Sequence, residues 1–285
     1  MTRAPRHRGG GRGYALVAAV ASIAVFAAMA LAMLTATRAA VVTGIAEVGQ
    51  ARAAAAADAG IALALSGLAS GDPSDRWPID GRTRTLDFAG ARLVVRVEDE
   101  RGKVPLNLLD PNMATRLLEA FGLKGEALNV AHDSLLDWLD ADDEKRPYGA
   151  EDAFYAPLGY RPRNGAMASV GELRRVRGFD RALVARMTPV LTVNFGRGNF
   201  EPSHATPQAI EIMMGDDGST ELLDRKRELA GQRTAIDLTP TAELIAHPLM
   251  ITSAATMPDG ARAVRRQVVE LTGAAVRPYV VRSYD

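Results

Sequence analysis

The sequence has no cysteine among its 285 residues. That excludes a disulfide scaffold, a thiolate metal centre and a cysteine nucleophile. It leaves the compartment open, because a chain with a large core needs no disulfides. Aromatic residues make up 5% of the chain, few for the sugar-stacking platforms of a glycosidase. Paired carboxylates alone are therefore a poor sign of glycoside hydrolysis. There is no glycine-rich phosphate loop with a lysine and no Gly-x-Ser-x-Gly elbow. The four histidines, His7, His132, His204 and His247, are scattered, and the His132-Asp133 pair has no nucleophile near it in sequence. These absences point away from an enzyme. Nor is there an excess of positive charge, since 34 basic residues balance 34 acidic ones, which argues against a strongly basic nucleic-acid binder.

What is present is unevenly spread. Residues 1–13, MTRAPRHRGGGRG, carry Arg3, Arg6, Arg8 and Arg12 and no acid, leaving the remainder about four charges negative. Tyr14–Thr37 has no charge at all. As a helix it spans about 36 Å, enough to cross a hydrocarbon core of about 30 Å. Arginines precede the run, so the amino end should stay cytoplasmic with the bulk across the membrane. Three readings compete. A cleaved secretory signal has a shorter apolar core, roughly 7–15 residues, before a small-residue cut. A plain signal anchor carries no processing mark. The third reading uses Gly13: Arg12-Gly13 followed by Tyr14-Ala15-Leu16-Val17 resembles a type IV prepilin leader, which is cut after the glycine on the cytoplasmic side. Processing then falls at Gly13 and Tyr14. The retained anchor and assembly helix would use Leu16, Val17, Val20, Ile23, Val25, Phe26, Leu31 and Leu34.

Past Arg38 the apolar pattern continues through Val41, Val42, Ile45 and Val48 into the Ala-rich stretch Ala51–Ala64, at helical spacing. Gly44, Gly49 and Gly60 each weaken such a helix by about 1 kcal/mol. One helix from Tyr14 to about Ser70 would be on the order of 85 Å long, and Gly71-Asp72-Pro73 should stop it. Residues 84–99 alternate about an Ala89-Gly90 turn and read as a β-hairpin. Leu249–Thr256 and Val264–Leu271 read as strands, with Pro278–Tyr284 as a further edge strand. Strands early and late with helices between imply an α+β fold: a long N-terminal helix packed on an antiparallel sheet, with a large inserted α-helical domain. The expected divisions are a leader at 1–13, a membrane helix at 14–37, a head at 38–103 and 241–285, and the insertion at 104–240.

The strongest chemical hint is Asp133 to Glu144. On a helix Asp133, Asp137 and Asp140 share one face, where like charges repel by a few tenths of a kcal/mol per pair. A solvated acidic face explains that spacing. So does a hard cation such as calcium, which takes six to eight oxygen ligands. Asp140, Asp142, Glu144 and Glu151 fall at positions 1, 3, 5 and 12 of a calcium-loop count, but Lys145 stands where an EF-hand needs glycine. This is not an EF-hand.

Here the chain resembles a known family. Glu98-Asp99-Glu100, Gly102-Lys103, Leu106-Asn107, Asp137-Trp138-Leu139-Asp140-Ala141-Asp142, Gly149-Ala150-Glu151-Asp152, Tyr155, Arg163-Asn164-Gly165, Ser169-Val170 and Glu172-Leu173 run in order between positions 98 and 173, similar to the K pseudopilins of type II secretion. That family also lacks the glutamate usual at the fifth mature position, here Ala18. Without a partner, a carboxylate in the membrane is costly, so its absence fits a subunit with nothing above it. The resemblance implies a pilin-like head with a SAM or helix-hairpin-helix-like insertion and structural calcium. Candidate ligands are Asp137, Asp140, Asp142, Glu151 and Asp152, with Asp143 and Glu144 as further candidates. It implies residence in the inner membrane with a periplasmic bulk. It also implies a place at the pseudopilus tip with the I and J minor pseudopilins, starting assembly after processing and methylation by the prepilin peptidase. Implied partners include the inner-membrane assembly platform and, at the tip, secreted substrates.

A second class of function rests on 169–193, where Leu173, Val176, Gly178, Leu183, Val184 and Met187 resemble a helix-hairpin-helix unit with Arg174, Arg175, Arg177 and Arg181 about it. Such units bind DNA phosphate through backbone amides, which would suit a signal-anchored DNA-uptake protein. A helical packing unit with a solvated basic face accounts for the same residues, and no nucleic-acid partner is expected. For 196–232 the expectation is a degenerate second hairpin of that kind.

Overall fold

The computed structural model describes residues 11–70, 72, 75–77, 79–215, 244–274 and 276–284. The unbroken run of helix formers gives one helix, α1 (Gly11–Ala69). Its first half is bare: Leu16, Val17, Val20, Ile23, Val25, Phe26, Leu31 and Leu34 are all exposed. Hydroxyls in that half turn back onto their own helix, Ser22 Oγ donating to the Ala18 carbonyl, Thr35 Oγ1 to Ala32 and Thr37 Oγ1 to Met33, each at 2.8 Å. Such internal satisfaction suits a surround without water. Of the residues expected to stop the helix, Gly71 and Pro73 lie outside the described ones, as do residues 1–10 of the leader.

The second half of α1 buries Ala53, Ala57, Ile61, Ala64 and Leu68 on a sheet. That sheet has five strands in the order β1-β2-β5-β6-β7, every neighbouring pair antiparallel. They are β1 (Asp80–Phe88), β2 (Ala91–Asp99), β5 (Pro248–Thr256), β6 (Arg262–Leu271) and β7 (Tyr279–Tyr284). Alternation puts Leu93, Val95 and Val97 of β2 and Leu249, Ile251 and Ala255 of β5 against the helix. Ala89 (φ 48) and Gly90 (φ 81) make the two-residue turn of the first hairpin, with both residues left-handed as that turn requires.

The glycines of α1 behave differently from the sequence expectation of three weak points. A Cβ on Gly60 would lie 2.2 Å from Ser253 Oγ and one on Gly49 would lie 3.1 Å from Asp259 Oδ2, whereas Gly44 meets nothing within 4 Å. Gly60 marks where the helix touches the sheet, and Gly49 where it meets the turn between β5 and β6.

Between β2 and β5 the chain builds a second core from Leu106, Leu117, Leu118, Leu135, Trp138, Tyr155 and Leu173, among others. Its helices are α2 (Pro111–Ala120), α3 (Gly125–Leu139), α4 (Asp152–Tyr155) and α5 (Arg181–Met187), followed by a helical segment at 207–215. The observed architecture is the expected α+β plan. One element went unforeseen: β3 (Val104–Pro105) pairs in parallel with β4 (Leu191–Thr192), and two residues are too few to show a period. Of the second hairpin expected at 196–232, residues 216–232 lie outside the described ones.

The insertion leaves and rejoins the sheet at neighbouring positions, Asp99 facing Leu249. A buried polar knot sits there. Asp99, 3% exposed, lies 3.2 Å from His204 Nδ1 and 2.8 Å from His247 Nδ1, and accepts from the Arg101 N–H at 2.9 Å. Burial pushes the Asp99 carboxyl up, but these partners outweigh it and hold it well below the usual carboxylate range. Next to it Glu100 accepts from Lys103 Nζ at 2.6 Å and from Thr192 Oγ1.

Candidate cation site

The acidic face of α3 is not a solvated one. Asp137 is fully buried and Trp138 is 1% exposed beside it, because the chain after α3 folds back over the helix end. The Tyr148 N–H donates to Asp133 Oδ2 at 3.1 Å, and the Arg146 N–H lies 3.3 Å from both Asp137 oxygens. Gly149 makes the approach possible, since a Cβ there would lie 1.8 Å from Asp137 Oδ2. Carboxylates that repel along an isolated helix thus serve as acceptors for the returning main chain.

Beneath the loop lies an aromatic layer. Trp138 meets Tyr155 edge-on at 5.2 Å and 87°, and Tyr155 lies 5.6 Å from Tyr160. Burial pushes the Tyr155 hydroxyl up to about 12. Trp138 Nε1 donates to Glu172 Oε1 at 3.3 Å, and Arg163 Nε donates to the same oxygen at 2.6 Å. Burial raises the Glu172 carboxyl, but the Arg163 pair wins and holds it below its ordinary value.

The candidate ligands have separate fates. Arg146 Nη1 donates to Asp137 Oδ1 at 2.7 Å and to Asp140 Oδ2, bridging the two. The other Asp140 oxygen, Oδ1, is buried with no hydrogen-bond partner. Asp142 Oδ1 accepts from the Glu144 N–H at 2.9 Å, and Asp143 Oδ1 accepts from Asn164 Nδ2 at 2.8 Å. Asp142, Asp143 and Glu144 are exposed. Asp152 opens α4, with Oδ1 at 3.3 Å from Arg161 Nε. Glu151 is 6% exposed, and both its carboxylate oxygens are buried without a hydrogen-bond partner. Its own burial, then the negative charges of Asp137, Asp140, Asp143 and Asp142, push its carboxyl up to about 7.

Asp137, Asp140 and Glu151 bring three carboxylates, and Arg146 bridges two of them. A buried carboxylate without a counter-charge is unfavourable by several kcal/mol. Hard oxygen donors in surplus are what calcium takes, so the donors fit that ion in kind. They are not gathered on one point: among the described residues no three acidic or histidine side chains converge to hold a metal. Two residues that the sequence reading did not put forward as ligands or partners belong here. Arg146 is an inward-turned cation in an acidic run. Asn164 sits at φ 47 and holds a buried, unpartnered Oδ1 beside Asp142 and Asp143.

The hairpin at 169–193 turns at Gly178 (φ +92), which lies against α3: a Cβ there would come within 2.9 Å of Ala131 Cα. The following α5 has seven residues, and its N-cap Asp180 accepts from the Leu183 N–H at 2.7 Å. A carboxylate thus takes the place where a phosphate would bind, which leaves the packing reading as the better one.

Comparison with known proteins matches residues 97–195 to the family described as type II secretion system (T2SS), protein K. That stretch contains the whole acidic loop and its aromatic floor. The chain is 30% identical over 125 residues to type II secretion system protein K of Pectobacterium carotovorum subsp. carotovorum, covering 41% of this chain and 38% of that protein. It is 46% identical over 61 residues to the protein of the same name in Dickeya chrysanthemi, covering 21% of this chain and 17% of that one. Against the Pseudomonas aeruginosa protein K the identity is 38% over 101 residues, 31% of this chain and 30% of that protein. The matches therefore span well under half the length of these relatives. A chain of the crystal structure of the GspK-GspI-GspJ complex from the enterotoxigenic Escherichia coli type 2 secretion system superposes with a TM-score of 0.56. It is 16% identical, over 87% of this chain and 98% of that one, and so shares the fold. The resemblance to protein K read from the sequence is borne out.

Proposed function

We propose that this chain, similar over residues 97–195 to protein K of type II secretion, is a minor pseudopilin. The prepilin peptidase cuts between Gly13 and Tyr14 and methylates the new amino terminus. The bare half of α1 then holds the subunit as a single pass in the inner membrane, with its bulk in the periplasm. Processed subunits of this chain join the I and J minor pseudopilins, delivered through the inner-membrane assembly platform. The observation that carries this reading is the divided helix. In α1 the apolar first half is exposed, with one window long and apolar enough to span a bilayer, and the second half is sewn to a head. Beyond Arg38 the stripe Val41, Val42, Ile45 and Val48 also stays exposed, giving other rod-bearing subunits a face to pack on.

The tip is the place we assign to it. An insertion with a core of its own is added to the head, bulk that would not stack within a packed fibre. Ala18 at the fifth mature position asks for no ammonium above it. From that position the subunit would start assembly, support export of folded proteins and stand where secreted substrates pass.

Calcium braces the insertion in this proposal, held by oxygens of Asp137, Asp140, Asp142, Glu151 and Asp152, with Asn164 added for its unpartnered Oδ1. The ion would supply the positive charge that buried Glu151 lacks. Two measurements test the proposal. Mass spectrometry of the mature protein should find an N-methylated Tyr14, and a chain clipped beyond Thr37 refutes the pseudopilin reading. Saturating calcium at about a hundred times its Kd should add about 2.7 kcal/mol of stability. A melt unchanged by chelator refutes the ion.

A further inference from the structure

Arg146 stands out within the acidic loop. Its neighbour Lys145 is exposed, while the Arg146 guanidinium turns inward to Asp137 and Asp140. Those two pairs raise its pKa, although burial works against them. The oxygens it engages belong to two of the carboxylates proposed above as ligands. Glu151, 6% exposed, keeps both oxygens unpartnered, and so does Asp140 at Oδ1, so one guanidinium leaves buried acceptors over.

The loop does not need the guanidinium to stay closed. Its main chain is anchored by the Arg146 N–H on Asp137 and the Tyr148 N–H on Asp133. Gly149 is seated against Asp137, and Pro147 narrows the backbone freedom of the residue before it. The side chain is therefore separable from the fold of the loop. A divalent ion bound to Asp140 and Asp137 would share their oxygens with a like charge, and like charges on shared carboxylates exclude one another.

We propose that Arg146 is a built-in substitute for the ion. Its guanidinium fills the Asp137–Asp140 cradle in the calcium-free chain and is displaced when calcium enters. This rests on the calcium reading given above. Arg146 thereby lowers the calcium affinity of the site and offsets the charge of Asp137 and Asp140 while it is empty, so that the site exchanges one cation for another. The exchange leaves a free guanidinium at the surface beside the loaded site.

The test uses the purified full chain in detergent, titrated with calcium by calorimetry, with native protein, Arg146→Gln and Glu151→Gln in parallel. Removing one charge-assisted hydrogen-bonded competitor should tighten calcium binding about tenfold in Arg146→Gln. Its calcium-free melt should fall, and its saturated melt should rejoin the native one. Equal or weaker calcium binding in Arg146→Gln overturns the inference. Glu151→Gln should lose calcium affinity with Arg146 still in place; retention of native affinity there also overturns it. A second readout needs no variant: phenylglyoxal labelling of Arg146, mapped by mass spectrometry, should rise on adding calcium. Unchanged or reduced labelling counts against displacement. If calcium binds none of the three proteins, the calcium reading itself falls, whereas native binding with no gain in Arg146→Gln sinks only the exchange.

Discussion

Gly60→Ala examines how the rod is seated on the head. Alanine favours the helix by about 1 kcal/mol over glycine, so from the sequence alone this change should stabilise. In the fold the new Cβ would lie 2.2 Å from Ser253 Oγ and 3.2 Å from both Ser253 Cβ and Val95 Cγ2. The first contact is the severe one, in a fully buried site, while the two at 3.2 Å ask a neighbour to give by only a few tenths of an ångström. Overpacking of this size costs about 1–3 kcal/mol, so the net change is a loss of about 1 kcal/mol, or roughly 4 °C in Tm for a unit the size of the head. Ser253→Ala should reverse it. The Ser253 hydroxyl is fully buried without a hydrogen-bond partner, so deleting it is close to neutral or mildly stabilising. In the double variant the helix gain remains and the worst contact is gone. Its Tm should therefore equal or exceed the native value, with a coupling of about 1–2 kcal/mol between the sites. Trp77 packs on the head core and Trp138 lies in the insertion core, so fluorescence melts in a Trp138→Phe background report the head alone. The reasoning is refuted if Gly60→Ala melts at or above the native chain, or if the two substitutions simply add.

Asp99→Asn should cost about 1.5–3 kcal/mol at neutral pH through loss of charge-assisted hydrogen bonds. The native carboxyl is held below its unfolded value of about 3.9, so its contribution is full above that value and drains away as pH falls through it toward the folded one. Denaturant melts across pH should accordingly show the gap between native and variant closing in acid; a gap constant with pH contradicts this. Ala18→Glu should reduce incorporation of the subunit into pseudopili, or leave it unchanged, when scored by pull-down with the I and J subunits. Improved incorporation removes the argument for a subunit with nothing above it.

Much of this molecule was legible from patterns that are local in the chain. The uncharged run, the Ala-rich continuation and the two-residue period of the strands each express one element's own geometry, and each appears where expected. Features made by two distant stretches were not legible. Gly49 and Gly60 read as helix weaknesses because propensity is local, whereas their use lies in Asp259 and Ser253, some two hundred residues away. Asp137 and Asp140 share the face their spacing suggested, yet spacing could not tell a solvated face from one closed by a returning loop. Burial of Asp137 behind Arg146 and Gly149 needs that loop's path. The same path gives Asn164 its place, since its contacts reach back more than twenty positions.

The sheet's register runs unbroken across the point where roughly half the chain departs, with Asp99 still opposite Leu249. A link of a few residues could join β2 to β5 without disturbing a single rung. What hangs from that doorway is therefore free to change in size and chemistry while the pilin-like body keeps its shape. Closing a longer excursion adds only about 0.6 kcal/mol for each doubling of its length. Differences in length and lineage between such proteins should gather inside the excursion, and chimaeras cut at that doorway should fold.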